Sequence, residues 1–354
     1  MRNLPHFFKG AVMFRQKRPL KIINLETPDL EKNQVLVKVI SAGICGAQLG
    51  EINGVKGPDK WVPHCMGHEG FGIIVKKNIN VKDFDVGNFV ILHWRKSNLE
   101  SSFAPTYKSS FGRINAGYVT TFQEYSVISI NRITKINFKK KLEKIYPLLG
   151  CVLSTAFGII SKEIVPKKKD KILIIGGGGV GVSIAVMAKI LGLNNILIIE
   201  KSTLKRKYLS KFNIKTIYFK NSNFLKKYIN KNIRFDKILD TTGDNGLISL
   251  GFQLLNKNGE LVIVGQPKQG SVLKIYDPIR FCKLNKSYDG VRIIASDGGL
   301  FNPSTDMQKL IKLVSKNFKL VEKIITHEVN LKDVNKGLSL VEEGRAIRVL
   351  VKIS

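Results

Sequence analysis

The segment from Lys171 to Gly192, KILIIGGGGVGVSIAVMAKILG, constrains the fold more than any other. Its apolar, β-branched opening reads as a buried strand, and its small-residue continuation reads as a helix packed closely on that strand. Gly176, Gly178 and Gly181 give G-x-G-x-x-G directly between the two. The first glycine permits the tight turn, the second lets backbone approach a pyrophosphate, and the third lets helix and strand touch. The helix N-terminus, at Gly179 and Val180, then offers free N–H groups and the positive end of its dipole to phosphate. A glycine pattern alone is weak, because any tight turn can produce one. Here the next strand, NNILIIE, ends in Glu200, 24 residues after Gly176. A carboxylate at that place accepts hydrogen bonds from ribose hydroxyls and repels a 2′-phosphate, which favours NAD(H) over NADP(H). Lys201, Lys205 and Arg206 nearby pull the other way.

From about residue 150 onward, strands alternate with helices. KILIIG, NNILIIE, KTIYF, FDKILDTTG and GELVIVG read as strands, with helices over VGVSIAVMAKILGL and TLKRKYLSKF. That alternation predicts a parallel sheet wound by helices on both faces. The first 150 residues have a different texture. LVKVISAG, FGIIVKK, NFVILHW and FQEYSVI are short strands bounded by Gly, Pro, Asn or Asp, as in an antiparallel, barrel-like domain. Lys96 to Tyr118 is polar and Ser-rich, and reads as a long irregular excursion. After about residue 288 come a strand, a helix (304–315), another strand, a helix (331–343) and the strand RVLVKI, a C-terminal return to the first domain. The expected division is 1–150 with 289–354, and 151–288.

Composition narrows the function classes. The net charge of +31 comes from 58 Lys and Arg against 27 Asp and Glu. A strongly basic chain raises the question of a polyanion partner. The cations are scattered, however, and no aromatic-interleaved basic stretch or RNA-recognition motif is present. The expectation is no nucleic-acid partner. No apolar run reaches the roughly 18 residues needed to span a bilayer, so no membrane partner is expected either. The four cysteines, Cys45, Cys65, Cys151 and Cys282, are few, far apart and without a C-x-x-C pair. That suits a reducing cytosol better than a disulfide scaffold, and excludes a zinc ribbon.

Three separated contexts remain: Cys45 in SAGICGAQL, His68 and Glu69 in CMGHEGFG, and Cys151 in GCVLSTAFG. Taken singly, a Cys is commonly a small buried hydrophobe and a His a hydrogen-bonded structural residue. Together with the order of the domains, the C-terminal return, and the segments FDKILDTTG and GELVIVG, they resemble the zinc-containing medium-chain dehydrogenase/reductase family of alcohol, sorbitol and threonine dehydrogenases. The resemblance runs through nearly the whole chain. It implies a GroES-like β-barrel catalytic domain beside a Rossmann, doubly wound parallel-sheet domain. It further implies Cys45, His68 and Cys151 as protein ligands of one catalytic zinc, with Glu69 as a fourth or intermittent ligand. Thr155 would lie against the nicotinamide and Lys205 near the adenosine ribose. Three protein donors of mixed S and N type with an open position are what a catalytic zinc requires. The implied activity is hydride exchange with NAD(H) that interconverts an alcohol with a ketone or aldehyde. The alcohol is expected to be a polyol, cyclitol or sugar-like secondary alcohol, because Arg95 and Lys96 follow the strand NFVIL. A homodimer or homotetramer is the expected assembly.

The chain departs from the family pattern in three ways. The Lys96–Tyr118 excursion has no Cys, so no structural zinc is expected. Ala47 stands where relatives carry a hydroxyl that starts a proton relay. Gln48 stands where an Asp commonly supports the ligand His, and a neutral amide raises imidazole basicity less. Glu51, His64 and His93 are candidate replacements for the relay, each with a structural alternative. Two other readings stay open. One is a zinc-free quinone or enoyl reductase of the same superfamily, and the other is a polyanion-binding protein on this fold.

Overall fold

The computed structural model describes residues 4–219, 231, 233–273 and 290–353. The chain divides into two units, residues 1–154 with 302–354, and residues 155–301. Cys282 and the expected boundary at 288–289 lie outside the described residues.

The first unit opens with strands β1 (Phe7–Met13), β2 (Lys21–Glu26) and β3 (Gln34–Ile44), followed by helix α1 (Gly46–Ile52). Strands β4 (His64–Cys65), β5 (Gly70–Lys77), β6 (Phe89–Leu92), β7 (Thr106–Ser109), β8 (Gly112–Asn115), β9 (Tyr125–Ser129) and β10 (Ile133–Lys135) come next. The short helix α2 (Tyr146–Leu149) and then α3 (Val152–Gly158) close this stretch. One sheet has the order β2-β1-β4-β8-β7. The expected irregular excursion thus contains a hairpin, β7–β8. The sequence hides it because each strand has only four residues and one inward apolar anchor, Tyr107 or Ile114, both fully buried. The Tyr107 hydroxyl accepts hydrogen bonds from the Gln123 amide and the Val127 N–H, so packing ties the hairpin down.

The second unit carries β11 (Ile172–Ile175), α4 (Gly179–Ile190), β12 (Ile196–Glu200), α5 (Thr203–Leu209), β13 (Lys215–Tyr218), β14 (Phe235–Asp240), α6 (Asn245–Phe252), β15 (Leu255–Ile263) and β16 (Arg292–Ala295). All pairings are parallel, in the order β13-β12-β11-β14-β15-β16. This is the doubly wound arrangement whose strand order reverses beside the first strand, β11. Leu173 and Ile175 of β11, with Leu197, Ile199, Ile238 and Leu261, form its core. Strands buried on both faces must be apolar throughout, which is why they stand out in the sequence.

The chain then returns to the first unit through α7 (Pro303–Lys316), α8 (Phe318–Glu322), β17 (Ile325–Asn330), α9 (Val334–Glu342) and β18 (Arg348–Lys352). Strand β18 pairs antiparallel with β3, completing a sheet of order β10-β6-β5-β3-β18-β17, with β9 also on β3. Among the described residues, no helix is long and apolar enough to cross a membrane.

Candidate metal centre and dinucleotide site

Cys45 directly follows β3 and stands at the N-cap of α1. His68 follows Gly67, whose φ of +93° suits glycine. A Cβ there would also meet Thr121 Oγ1 and the Phe122 amide nitrogen. Cys151 follows α2 and precedes α3. These three segments, far apart in the chain, meet inside the first unit: Cys45 Sγ, a ring nitrogen of His68 and Cys151 Sγ lie within 4.8 Å of one another. The two sulfurs are 4.0 Å apart. That is far beyond a disulfide bond, but close to the ~3.8 Å expected between two thiolates ~2.3 Å from a tetrahedral zinc. Both thiols are buried.

The charge balance of the cluster fits a cation. The hydrogen bond from Cys151 holds the Cys45 thiol well below its ordinary pKa, against burial. The same bond pushes Cys151 well above the ordinary value, because one thiolate keeps its neighbour protonated. Burial alone would lower His68, but the hydrogen bond and charge of Cys45, with Glu69, shift it upward. Two thiols sharing a proton beside an imidazole form a donor set that a divalent ion would relieve of that proton.

Glu69 is not one of the converging donors. Its Oε1 pairs with the Arg348 guanidinium of β18, and both side chains are buried. Burial raises the Glu69 carboxyl pKa although Arg348 opposes the rise. Its Oε2 is buried with no hydrogen-bond partner. The carboxyl is thus committed to Arg348 through one oxygen, and the Val152 backbone N–H also favours its charged form.

In the second unit the glycine turn follows β11 at the point where strand order reverses. Gly176 has φ +100°, and a Cβ on Gly181 would fall 2.0 Å from the Gly176 carbonyl oxygen. Beside Gly178, the N-cap of α4, a Cβ would meet nothing within 4 Å, which leaves room for backbone to approach a phosphate. Gly179 and Val180 open α4. Glu200 ends β12, and its two oxygens accept from the Gly177 N–H (2.7 Å) and the Ser202 N–H (2.7 Å). Its carboxylate therefore braces the glycine turn. Lys205 lies in the first turn of α5, where its N–H donates to the Ser202 cap. Thr155 is buried in α3.

Residues 31–138 match the alcohol dehydrogenase GroES-like domain, and residues 179–316 match the zinc-binding dehydrogenase family. Over 97% of both chains, the sequence is 26% identical to the class-3 alcohol dehydrogenase of Drosophila melanogaster. It is 25% identical to alcohol dehydrogenase 2 of Oryza sativa, over 98% of this chain and 97% of that one. The fold is similar to benzyl alcohol dehydrogenase from Acinetobacter calcoaceticus, with a TM-score of 0.84 at 19% identity, covering 98% of this chain and 99% of that one. It is also similar to 2R,3R-butanediol dehydrogenase from Bacillus subtilis, with a TM-score of 0.76 at 21% identity, covering 98% and 100%. The chain belongs to the zinc-containing medium-chain dehydrogenase/reductase family.

Against this dehydrogenase family, the departure at Gln48 takes physical form. Gln48 is buried, and its Oε1 accepts the Cys45 N–H at 2.6 Å. Its amide nitrogen, which can only donate, therefore faces His68 Nδ1 at 3.2 Å. Gln48 thus offers the imidazole a donor where an Asp would offer an acceptor. Of the candidate relay residues, His93 has a structural role. Its Nδ1 meets the Arg95 carbonyl at 2.7 Å and its Nε2 meets Thr134 Oγ1 at 3.0 Å. Burial pushes its pKa down to about 4, so it is neutral near pH 7. Arg95 stacks its guanidinium on Trp94, 5.2 Å from the ring centre. Sequence reading missed Arg348, although an Arg opening the apolar strand RVLVKI was a visible signal. It also missed Thr241, whose hydroxyl donates to the Ile175 (2.9 Å) and Gly176 (3.1 Å) carbonyls and locks the glycine turn to the end of β14.

Proposed function

We propose that this dehydrogenase exchanges hydride between NAD(H) and an alcohol–ketone or alcohol–aldehyde pair, at a zinc held by Cys45, His68 and Cys151. The observation that carries the reading is the convergence of those three donors within 4.8 Å. Bound there, zinc would supply a Lewis acid for the substrate oxygen, and NAD(H) the hydride chemistry. The chain's own part is positioning. Cys45 at the N-cap of α1 and His68 after a glycine-only turn hold their donors on rigid backbone. The Arg348 cation pairs with Glu69 and favours the charged form of Cys45. The Gly176–Gly181 turn and the N-terminus of α4 would receive the pyrophosphate, and Glu200 the adenosine ribose, with Lys205 beside it. Thr155 is assigned to the nicotinamide face. The first unit is the catalytic one and the second the nucleotide-binding one.

We assign the substrate to secondary alcohols of the polyol, cyclitol or sugar class, on the strength of Arg95 and Lys96 after β6. A reducing cytoplasm suits the two free thiols at the centre, and a homodimer or homotetramer is the assembly we propose. Zinc analysis of the purified protein, with a screen of alcohols and polyols followed by NADH absorbance, tests the proposal. The expected result is turnover that disappears, together with the bound zinc, in Cys45→Ser. Full activity in that variant would refute it.

A further inference from the structure

A second cluster, which takes in the relay candidates Glu51 and His64, shares no donor with the thiol centre. Glu51 in α1, Asp59 in the following loop and His64 at the start of β4 bring a carboxylate oxygen each and a ring nitrogen within 4.8 Å of one another. His64 and Asp59 are each 10% exposed at the side chain, and Glu51 is 43% exposed. His64 Nδ1 lies 2.8 Å from the Cys65 carbonyl, which can only accept, so Nδ1 carries the proton. In the neutral ring Nε2 is then a bare lone pair. It faces Asp59 Oδ2 at 3.0 Å and Glu51 Oε1 at 3.9 Å. Two carboxylate oxygens thus converge on one buried nitrogen, an arrangement that a proton on Nε2 or a metal ion would satisfy.

We propose that Glu51, Asp59 and His64 form a second divalent-metal site, one that takes a first-row transition ion. The donor set of one imidazole and two carboxylates suits manganese and zinc. Donors ~2.1 Å from such an ion stand roughly 3.0–3.4 Å apart, so Asp59 and His64 are already placed, and the more exposed Glu51 closes the remainder. The surroundings are built as outer supports of a metal site are. The Cys65 carbonyl fixes the ring of His64. Asp59 Oδ1 accepts the Trp61 N–H at 2.8 Å, leaving Oδ2 for the ion. Gln16 donates to the Glu51 and Gly57 carbonyls (3.0 and 3.1 Å) and accepts the Asp59 N–H, holding the end of α1 to the loop.

All three donors fall between Cys45 and His68 in the chain. The site also sits where β4 meets the hairpin lobe: His64 pairs with Asn115, whose side chain donates to the Trp61 carbonyl. An ion here would clip the end of α1 to the base of β7–β8, the lobe that has no cysteines of its own.

Titrating protein loaded with one equivalent of zinc per chain with manganese(II), with free ion read by electron paramagnetic resonance, tests the site. Soft thiolates keep zinc, so manganese reports the oxygen-rich site. One equivalent should bind per chain. Binding should be lost in Asp59→Asn/His64→Gln and weakened at least tenfold in Glu51→Gln, which leaves the buried pair intact. Cys45→Ser should still bind it, so failure at the thiolate centre is distinguishable. No manganese bound by the wild type, as a simple His64 imidazolium–Asp59 pair would give, overturns the proposal. Unchanged binding in Glu51→Gln overturns it as well.

Discussion

Replacing Arg348 by Met should destabilise the first unit by about 3–5 kcal/mol, the cost of leaving a buried charge without its partner. The figure applies because both side chains are almost fully enclosed, at 2% and 0% exposure. Water cannot screen the orphaned carboxylate, so the surface discount does not apply. Met fills much of the aliphatic volume of Arg, which limits any added cavity cost. The chain's two tryptophans, Trp61 and Trp94, both lie in the first unit. Tryptophan fluorescence during urea unfolding therefore reports that unit. With m near 2–3 kcal/mol/M, the midpoint should fall by about 1–2 M. A Glu69→Leu/Arg348→Met double variant should recover most of the loss, since apolar replacement of a buried pair is often neutral. A drop under about 1 kcal/mol in Arg348→Met would refute the reasoning, as would a double variant no more stable than the single.

Glu200→Ala should narrow the preference for NAD over NADP, measured as the ratio of kcat/KM values; an unchanged ratio would show that Glu200 only braces the Gly177 N–H. His93 gives a pH signature. Its folded pKa, about 4, lies below the unfolded value of about 6.5, so the unfolded chain binds the extra proton first. Its contribution is fully present above about pH 6.5 and lost as pH falls toward 4, by at most about 3 kcal/mol. His93→Gln should flatten that limb of the stability–pH curve, and an unaltered slope would count against a buried neutral His93.

What could be read from the sequence follows a simple physical division. The second unit was legible because its information is local: a buried parallel strand must be apolar along its length, and a phosphate-binding turn must be glycine at fixed spacing. KILIIGGGGVG states both. The helices near 304–315 and 331–343 were equally visible, and appear as Pro303–Lys316 and Val334–Glu342. The hairpin β7–β8 was not, because two four-residue strands anchored by Tyr107 and Ile114 show no measurable period. The Cys45–His68–Cys151 cluster was visible only as three separate contexts, since nothing local joins Cys45 to Cys151.

The sequence by itself determined the doubly wound parallel-sheet architecture and the chemical types of the donors at the first unit's centre. Only the tertiary structure decided how those donors are used. Glu69 pairs with Arg348, 279 residues away, because β18 returns to lie against β3. Gln48 presents a donor rather than an acceptor to His68, because the Cys45 N–H takes its oxygen. Glu51, Asp59 and His64 converge only when α1, a loop and β4 close on one another. Spacing along a chain fixes what neighbours do. The partners of a buried charge are fixed by whichever strand arrives to cover it.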